Sequence, residues 1–307
     1  MAKKKKTLVC DYYKDWVKTY KEGTVRNVTL KKYQNTTKYL TEIAPNTTFK
    51  ELDRAEYQRI INEFAKTHEK QTVTDFHHQL KAGLMDAMDE GFLKKDPTRK
   101  VIIKGKLPTP KKDKYLSLSE FEKLLNDLNL KTEVNFDYLI LLVAKTGMRF
   151  SEAIAITPKD FDFKRKKLRI NKTWDYKTKT GFVLTKNDSS NRTIDIDSKM
   201  CSQFETLCSG LKSDKSIFMQ DGNPIYNATV NDLLEKHCKK VDIPVISMHA
   251  LRHTHASVLL YKGVSVASIS KRLGHANTTI TEKVYLAIID ELKNKDKDMI
   301  TDSLNEL

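Results

Sequence analysis

The sequence of 307 residues lacks the features that mark several large classes of protein. Its apolar stretches are all too short to form a membrane-spanning helix. The basic run Lys3–Lys6 is followed by only a few apolar residues, so it does not form a secretory signal peptide. The P-loop pattern G-x-x-x-x-G-K-[ST] is absent, which excludes nucleotide binding of that kind. These absences predict a cytoplasmic protein with no membrane partner.

Cysteine is scarce and is not arranged for a metal or a disulfide. The four cysteines, at positions 10, 201, 208 and 238, contain no C-x-x-C pair, so we predict reduced, packed thiols. His249 and His253 stand four residues apart, as in a helical H-E-x-x-H zinc site, but Ala250 replaces the glutamate that such a site needs as its base. We therefore predict no metal site and no bound cofactor.

Positive charge is abundant. The chain carries 55 Lys and Arg against 40 Asp and Glu, a net charge of +15, with 39% hydrophobic residues. This composition is typical of a globular protein, and its charge favours a polyanionic partner, because basic side chains that contact phosphates release condensed counterions. A basic surface that serves only solubility is the alternative, and composition does not exclude it.

Charge and periodicity predict two domains joined by a basic linker. Residues 1–93 are expected to form four short amphipathic helices that pack as a bundle. Residues 94–114 contain nine basic residues, two acids and three prolines, which favours a linker along a phosphate backbone, although a solvated tether fits as well. A second domain is predicted over 115–289, followed by a polar tail at 290–307 that docks on a neighbouring subunit, packs in cis or frays.

Helix signals recur along the chain. Thr48-Phe-Lys-Glu51 and Ser117-Leu-Ser-Glu120 have the form of a capping box, which predicts a helix start at each. In the second domain, 161–197 changes to the period of strands, with three predicted strands at 168–170, 181–185 and 192–196. The polar run Asn187–Asn191 is the expected turn between the last two strands, which places Lys186 at the edge of a hairpin. The predicted fold class is mainly α with a small antiparallel β-sheet.

A set of cationic and aromatic residues in the second domain suits phosphate chemistry. Arg149 and Glu152 lie in Thr146-Gly-Met-Arg-Phe-Ser-Glu152, and Lys186 follows a predicted strand. His249 and Arg252 lie in His249-Ala-Leu-Arg252-His253, His275 ends Leu273-Gly-His275, and Tyr285 follows. A phosphodiester under attack accumulates negative charge on its nonbridging oxygens, and two guanidinium groups can bind those oxygens in a fork. Taken singly, each residue also has an ordinary reading as a surface or core side chain.

In chain order, Arg-Lys-His-Arg-His-Tyr resembles the active site of the tyrosine recombinases, in particular the phage and transposon integrases. The resemblance implies an N-terminal SAM-like core-binding bundle, a mixed α/β catalytic domain, and strand cleavage and rejoining through a 3′-phosphotyrosyl bond, without metal or ATP. It implies that Arg149 and Arg252 hold the phosphate, that Tyr285 attacks it, and that Lys186 protonates the leaving oxygen. His249 would assist as a base, His275 would hydrogen-bond the phosphate, and Glu152 would support Arg149.

The resemblance also implies partners and leaves alternatives open. The expected partners are double-stranded DNA attachment sites, three further copies of the chain in a tetramer on DNA, and accessory excision and host DNA-bending proteins at the bacterial nucleoid. Many integrases of mobile elements begin with an arm-binding domain, whereas the bundle predicted here starts within ten residues of Met1. Such a domain is either naturally lacking or was removed, and no arm-site binding is assigned. A type IB topoisomerase or a noncatalytic DNA-binding protein of the same fold remains an alternative.

Overall fold

The computed structural model describes residues 6–107, 115–175, 181–185 and 188–275, and the chain divides into two compact units, Met1–Pro110 and Lys111–Leu307. The first unit contains four helices: α1 Val9–Tyr20, α2 Asn27–Ile43, α3 Arg54–Ala65 and α4 Lys70–Asp89. Its core includes the fully buried rings of Tyr13 and Tyr57, and Trp16 Nε1 donates a hydrogen bond of 2.6 Å to Asp86 Oδ2. The four-helix bundle predicted from the periodicity is present.

The start of α3 differs from the prediction. Glu51 Oε2 accepts from the Thr48 amide at 2.9 Å, which is half of the predicted capping box, but no helix begins there. The helix starts at Arg54, and Asp53 caps it by accepting from the Glu56 amide at 2.8 Å. Between the two caps, Phe49 and Leu52 are buried, and the Glu51 and Leu52 amides donate to the Thr48 carbonyl at 3.0 Å, so a single turn precedes the helix.

The described part of the basic segment, residues 94–107, packs on the four-helix bundle within the first unit. Gln58 makes two hydrogen bonds with the backbone of Ile102, at 2.9 and 2.8 Å, and the Lys106 amide donates to the His68 carbonyl at 2.9 Å. Val101 and Ile103 pack against the core of the bundle. The basic side chains of this stretch are exposed, at positions 94, 95, 99, 100, 104 and 106. The linker boundary drawn at residue 94 remains a prediction.

The second unit combines helices with two small antiparallel sheets. Its helices are α5 Leu118–Asp127, α6 Phe136–Thr146, α7 Phe150–Ala153, α8 Ser198–Cys208, α9 Asn227–Lys240, α10 Met248–Tyr261 and α11 Val266–Leu273. Its strands are β1 Phe161–Asp162, β2 Lys167–Ile170, β3 Lys172–Asp175, β4 Gly181–Leu184 and β5 Arg192–Asp195. The predicted capping box at Ser117 is complete and begins α5. The buried helix α6 runs through the core of this unit.

Strand pairing corrects one prediction. β1, β2 and β5 form one sheet, and β3 pairs with β4 in another, so the expected hairpin between residues 181–185 and 192–196 is wrong. β3 was not predicted from the sequence. Its Trp174 lies opposite Phe182 of β4, with ring centroids 5.0 Å apart. This aromatic pair across the strands favours the observed register.

The four cysteines are buried and form no disulfide. In the part of the chain that the structure describes, no group of three His, Cys, Asp or Glu residues is arranged to hold a metal ion. Over the same ranges, the search for a helix with the length and apolar character needed to cross a bilayer finds none.

Candidate active site

Arg149 begins a short helix directly after a sharp turn of the chain. α6 ends at Gly147, whose φ of 67° lies in the left-handed region that favours glycine. A Cβ atom at this position would lie 2.5 Å from Leu273 Cδ2 and 2.7 Å from His255 Cδ2. The backbone of Arg149 is extended, at φ −69° and ψ 147°, and leads into α7. The close packing at Gly147 therefore fixes where the Arg149 side chain leaves the core.

Glu152 holds Arg149 in place. Its carboxylate is 1% exposed and accepts from Arg149 Nη1 at 2.8 Å and from the Arg149 amide at 3.0 Å. Burial opposes ionisation, but the charge and hydrogen bond of Arg192, together with Arg149, hold the pKa of Glu152 below its usual value. Glu152 is therefore an anion at neutral pH, and the Arg149 side chain, 36% exposed, remains open on its other side.

Arg252 lies on α10. Ser247 caps the start of this helix, because its side chain accepts a hydrogen bond from the Ala250 amide. The residue is 3% exposed, and its guanidinium donates to the Gly147 carbonyl at 2.6 Å and to the Leu273 carbonyl at 2.8 Å. Burial and the charge of Arg149 lower the pKa of Arg252 to about 9, so the side chain keeps its charge at neutral pH. The positive groups of Arg149 and Arg252 therefore lie close enough to act on each other.

The positive charges of Arg149 and Arg252 act on both histidines of the predicted site and lower their pKa values. Partial desolvation of its ring, with the charges of Arg252 and Arg149, lowers the pKa of His249. Burial and the same two arginines lower the pKa of His275 to about 4. The His249 ring also contacts the ring of His253 edge to face, with centroids 4.9 Å apart. Both predicted site histidines are thus in the same electrostatic environment as Arg149 and Arg252, and His275 is neutral at pH 7.

Three successive backbone carbonyls at the end of α11 each accept from a different arginine. The carbonyl of Arg272 accepts from Arg192 Nε at 2.6 Å, and that of Leu273 accepts from Arg252. The carbonyl of Gly274 accepts from Arg149 Nη2 at 3.2 Å. The last carbonyls of a helix carry partial negative charge and have no partner within the helix, so they suit cationic donors. The end of α11 therefore joins the three arginines in one hydrogen-bonded group.

Arg192 was not predicted as a site residue. From the sequence it was only the first residue of a predicted strand. Its side chain is 6% exposed, and Nη2 donates to Glu152 Oε2 at 2.9 Å. A signal was present, because Arg192 and Ile194 are two residues apart on one strand and share a face, and Ile194 is buried. An arginine on the inward face of a strand needs a buried acceptor.

His255 is buried next to Gly147. Its Nδ1 is 2.9 Å from the Ala144 carbonyl, and Nε2 accepts from Arg272 Nε at 3.1 Å. Burial, followed by the charge of Arg272, lowers the pKa of His255 to about 3. The ring is therefore neutral, carries its proton on Nδ1 and joins α6, α10 and α11 behind Gly147.

The structure brings together five of the seven predicted site residues, namely Arg149, Glu152, His249, Arg252 and His275. Lys186 and Tyr285 lie outside the described residues, as does the predicted tail at 290–307. Thr185 Oγ1 and Asn191 Oδ1, on either side of Lys186 in sequence, are joined by a hydrogen bond of 2.9 Å. The positions of Lys186 and Tyr285 in the site remain predictions.

Comparison with known proteins identifies the class to which both units belong. The phage integrase family matches residues 114–291, and the phage integrase SAM-like domain matches residues 8–104. The chain therefore belongs to the phage integrase family, whose relatives here are integrases and tyrosine recombinases.

Similar proteins include a XerC-like tyrosine recombinase of Caldanaerobacter subterraneus, 26% identical over 81% of this chain and 70% of that protein. The ICEBs1 integrase of Bacillus subtilis is 28% identical over 72% of this chain, which spans 61% of its length. The integrase of Staphylococcus phage L54a is 29% identical over 55% of this chain, which spans 53% of its length. The chain thus spans between about half and about two thirds of the length of these relatives.

Solved structures share the fold. The Tn1549 transposon integrase in complex with transposon right end DNA has a TM-score of 0.76 at 20% identity, and the match covers 91% of this chain and 95% of that one. A lambda integrase tetramer bound to a Holliday junction has a TM-score of 0.66 at 16% identity, with 91% of this chain and 77% of that one covered. The mainly α fold with small antiparallel sheets is confirmed.

Proposed function

We propose that this protein is a site-specific DNA recombinase that integrates or excises a mobile element by cleaving and rejoining DNA strands through a 3′-phosphotyrosyl intermediate. The observation that carries the proposal is the pair of guanidinium groups, Arg149 and Arg252, that separate helices hold in one cluster beside His249 and His275. Family membership supports the same reaction.

The two arginines would hold the scissile phosphate. During attack the phosphorus becomes five-coordinate, and charge grows on its nonbridging oxygens. Arg149 has one face against Glu152 and Gly274 and is 36% exposed, so it can offer donors to an incoming phosphate. The deeper Arg252 is held from behind by the carbonyls of residues 147 and 273. Donors that are oriented before the substrate arrives need little reorganisation during the reaction.

The histidines would act as neutral groups. His275, with a pKa of about 4, would hydrogen-bond a phosphate oxygen without adding charge at neutral pH. The lowered pKa of His249 leaves it neutral and able to accept the phenolic proton of Tyr285. Tyr285 would attack the phosphorus, forming the phosphotyrosyl bond as the bond to the 5′ oxygen breaks. Lys186 would give its proton to that oxygen.

The phosphotyrosyl bond conserves the energy of the diester that it replaces, so attack by a 5′ hydroxyl reseals the strand without ATP. The arginines and Lys186 supply positive charge that a two-metal nuclease takes from magnesium, so the reaction is proposed to need no metal.

The proposed substrate is double-stranded DNA carrying an attachment site, and the proposed assembly is a homotetramer on two duplexes. A net charge of +15 supports binding to a polyanion. Two proteins of similar fold have been solved with DNA, namely the Tn1549 integrase bound to transposon right end DNA and the lambda integrase tetramer bound to a Holliday junction. We further propose that accessory excision proteins and host DNA-bending proteins are partners of this protein, and that it acts at the bacterial nucleoid.

Covalent capture tests the function. The protein is incubated in EDTA with a nicked duplex that carries the element's attachment site, and the products are separated on a denaturing gel and mapped by peptide mass spectrometry. We expect a DNA adduct on Tyr285 that Tyr285→Phe abolishes while DNA binding persists. Tyr261→Phe is the matched control, because Tyr261 is 56% exposed at the end of α10 and is expected to leave the adduct intact.

Other outcomes separate the alternatives. Binding without any adduct would support a noncatalytic protein of the same fold, and relaxation of DNA that lacks the attachment site would support a topoisomerase. Arg252→Ala is expected to slow cleavage by about 100- to 1000-fold, the usual loss for one donor to a developing oxyanion. Cleavage that stops with the chelator would contradict the metal-free reaction.

A further inference from the structure

Arg192 has no role in the reaction proposed above, yet its side chain is one of the most fully bonded in the described site. It stands at the start of β5 and is 6% exposed. Nε donates to the Arg272 carbonyl at 2.6 Å, Nη1 to the Ser190 carbonyl at 2.9 Å and Nη2 to Glu152 Oε2 at 2.9 Å. Three acceptors from three segments of the chain fix the plane of this guanidinium.

One of these acceptors is the carboxylate that holds Arg149. Glu152 accepts at Oε1 from Arg149, and at Oε2 from both the Arg149 amide and Arg192. A carboxylate that is 1% exposed needs full compensation of its charge, because an uncompensated buried anion becomes protonated or moves toward water. Arg149 is 36% exposed, whereas Arg192 is 6% exposed, so Arg192 is the buried cation that compensates the charge of Glu152.

A second contact acts through the end of α11. Arg192 binds the carbonyl of residue 272, and the next two carbonyls bind Arg252 and Arg149. A change in the position of this helix end would therefore move the acceptors of both proposed phosphate ligands. Gly274 is fitted closely to the same group, because a Cβ on it would lie 2.9 Å from Arg192 Nη1.

We infer that Arg192 is a positioning residue of this recombinase, which orients Arg149 through the shared carboxylate of Glu152 and through the carbonyls at the end of α11. This inference rests on the proposed function and adds to it a residue that does not touch the substrate. The charged groups around the carboxylate in the described residues are Arg149, Arg192 and the more distant Arg252.

The test compares three single variants, Arg192→Gln, Arg192→Lys and Glu152→Gln. It also includes the double variant that combines Arg192→Gln with Glu152→Gln. Single-turnover formation of the Tyr285 adduct is measured with saturating DNA, and DNA affinity is measured separately. We expect Arg192→Gln to slow adduct formation about 10- to 100-fold with DNA affinity changed by less than about threefold. Arg192→Lys keeps the charge but cannot reach all three acceptors, so we expect partial recovery.

The double variant separates positioning from general destabilisation. If Arg192 acts through Glu152, Arg192→Gln costs less than about threefold in the Glu152→Gln background. Arg165→Gln is the matched control, since it removes an exposed arginine from the turn before β2 and is expected to change neither rate nor affinity. Wild-type rates for Arg192→Gln would overturn the inference, and a full and independent loss in the double variant would overturn the route through Glu152.

A measurement that needs no catalysis keeps this inference separate from the proposed function. The guanidinium 15N signals of Arg149, assigned by their loss in Arg149→Lys, are expected to change in Arg192→Gln and in Glu152→Gln but not in Arg165→Gln. If the wild-type protein forms no adduct, the proposed function fails and these signals still decide the role of Arg192. Unchanged Arg149 signals in Arg192→Gln would contradict that role.

Discussion

Gly147→Ala is the substitution whose cost the structure defines most directly. Gly147 has a φ of 67°, and an added Cβ would lie 2.5 Å from Leu273 Cδ2 and 2.7 Å from His255 Cδ2. The left-handed backbone costs a residue with a Cβ about 1 kcal/mol, and forcing a methyl group into a packed core costs about 1 to 3 kcal/mol. We therefore expect the free energy of unfolding of the second unit to fall by about 2 to 4 kcal/mol.

Comparison with Gly263→Ala separates the packing cost of Gly147→Ala from its backbone cost. Gly263 follows α10 with a φ of +84°, and nothing lies within 4 Å of the Cβ position. This variant meets the backbone cost alone, about 1 kcal/mol. Unfolding in urea can be followed by the fluorescence of Trp174 in a Trp16→Phe background, since the chain has two tryptophans and Trp16 lies in the other unit.

Gly147→Ala should also slow DNA cleavage beyond its effect on stability. The Gly147 carbonyl accepts from Arg252 Nη1 at 2.6 Å, so relief of the clash by a backbone shift moves an acceptor of that arginine. Cleavage is measured under conditions where both alanine variants are folded. Equal losses of stability in Gly147→Ala and Gly263→Ala would refute the packing argument, and equal cleavage rates would refute the link to Arg252.

Three further variants test other parts of the fold. Ser247→Ala removes the cap of the helix that carries Arg252 and should lower the free energy of unfolding by about 1 kcal/mol, measured by urea titration. Asp53→Ala should cost a similar amount in the first unit, about 1 kcal/mol, if this residue rather than Thr48 begins α3. His255 has a folded pKa of about 3, below its unfolded value, so protons favour the unfolded state and stability should fall as the pH drops from about 7 toward 4. His255→Leu should make that fall shallower.

Much of the local structure could be predicted because it depends on neighbours in sequence. The spacing of apolar residues predicted the helices of the first unit, and Ser117 with Glu120 predicted the start of α5. Thr48 and Glu51 gave the same signal, yet only a single turn forms there, and the helix begins at Arg54 after Asp53. A cap pattern shows which bonds can form locally, and packing decides whether a helix follows.

The pairing of the strands could not be predicted from signals that are local in the sequence. The polar turn at 187–191 suggested that the strands on either side of it pair with each other, but β4 pairs with β3 and β5 pairs with β2. The half-buried strand β3 carries Lys172 and Trp174 among polar residues, a weak strand signal on its own. Its partner is chosen by contacts such as Trp174 with Phe182, which depend on the whole sheet.

The candidate groups of the site, their order along the chain and the family could be inferred from the sequence, because these inferences depend on residue identity and spacing. The tertiary structure alone decided how the groups are held. Arg149 meets the Gly274 carbonyl across 125 residues, and Arg252 meets that of Gly147 across 105. Arg192 became part of the site only because Glu152 and the end of α11 fold against it. Such contacts form only when distant segments pack, since a backbone carbonyl is common to every residue and leaves no mark in the sequence.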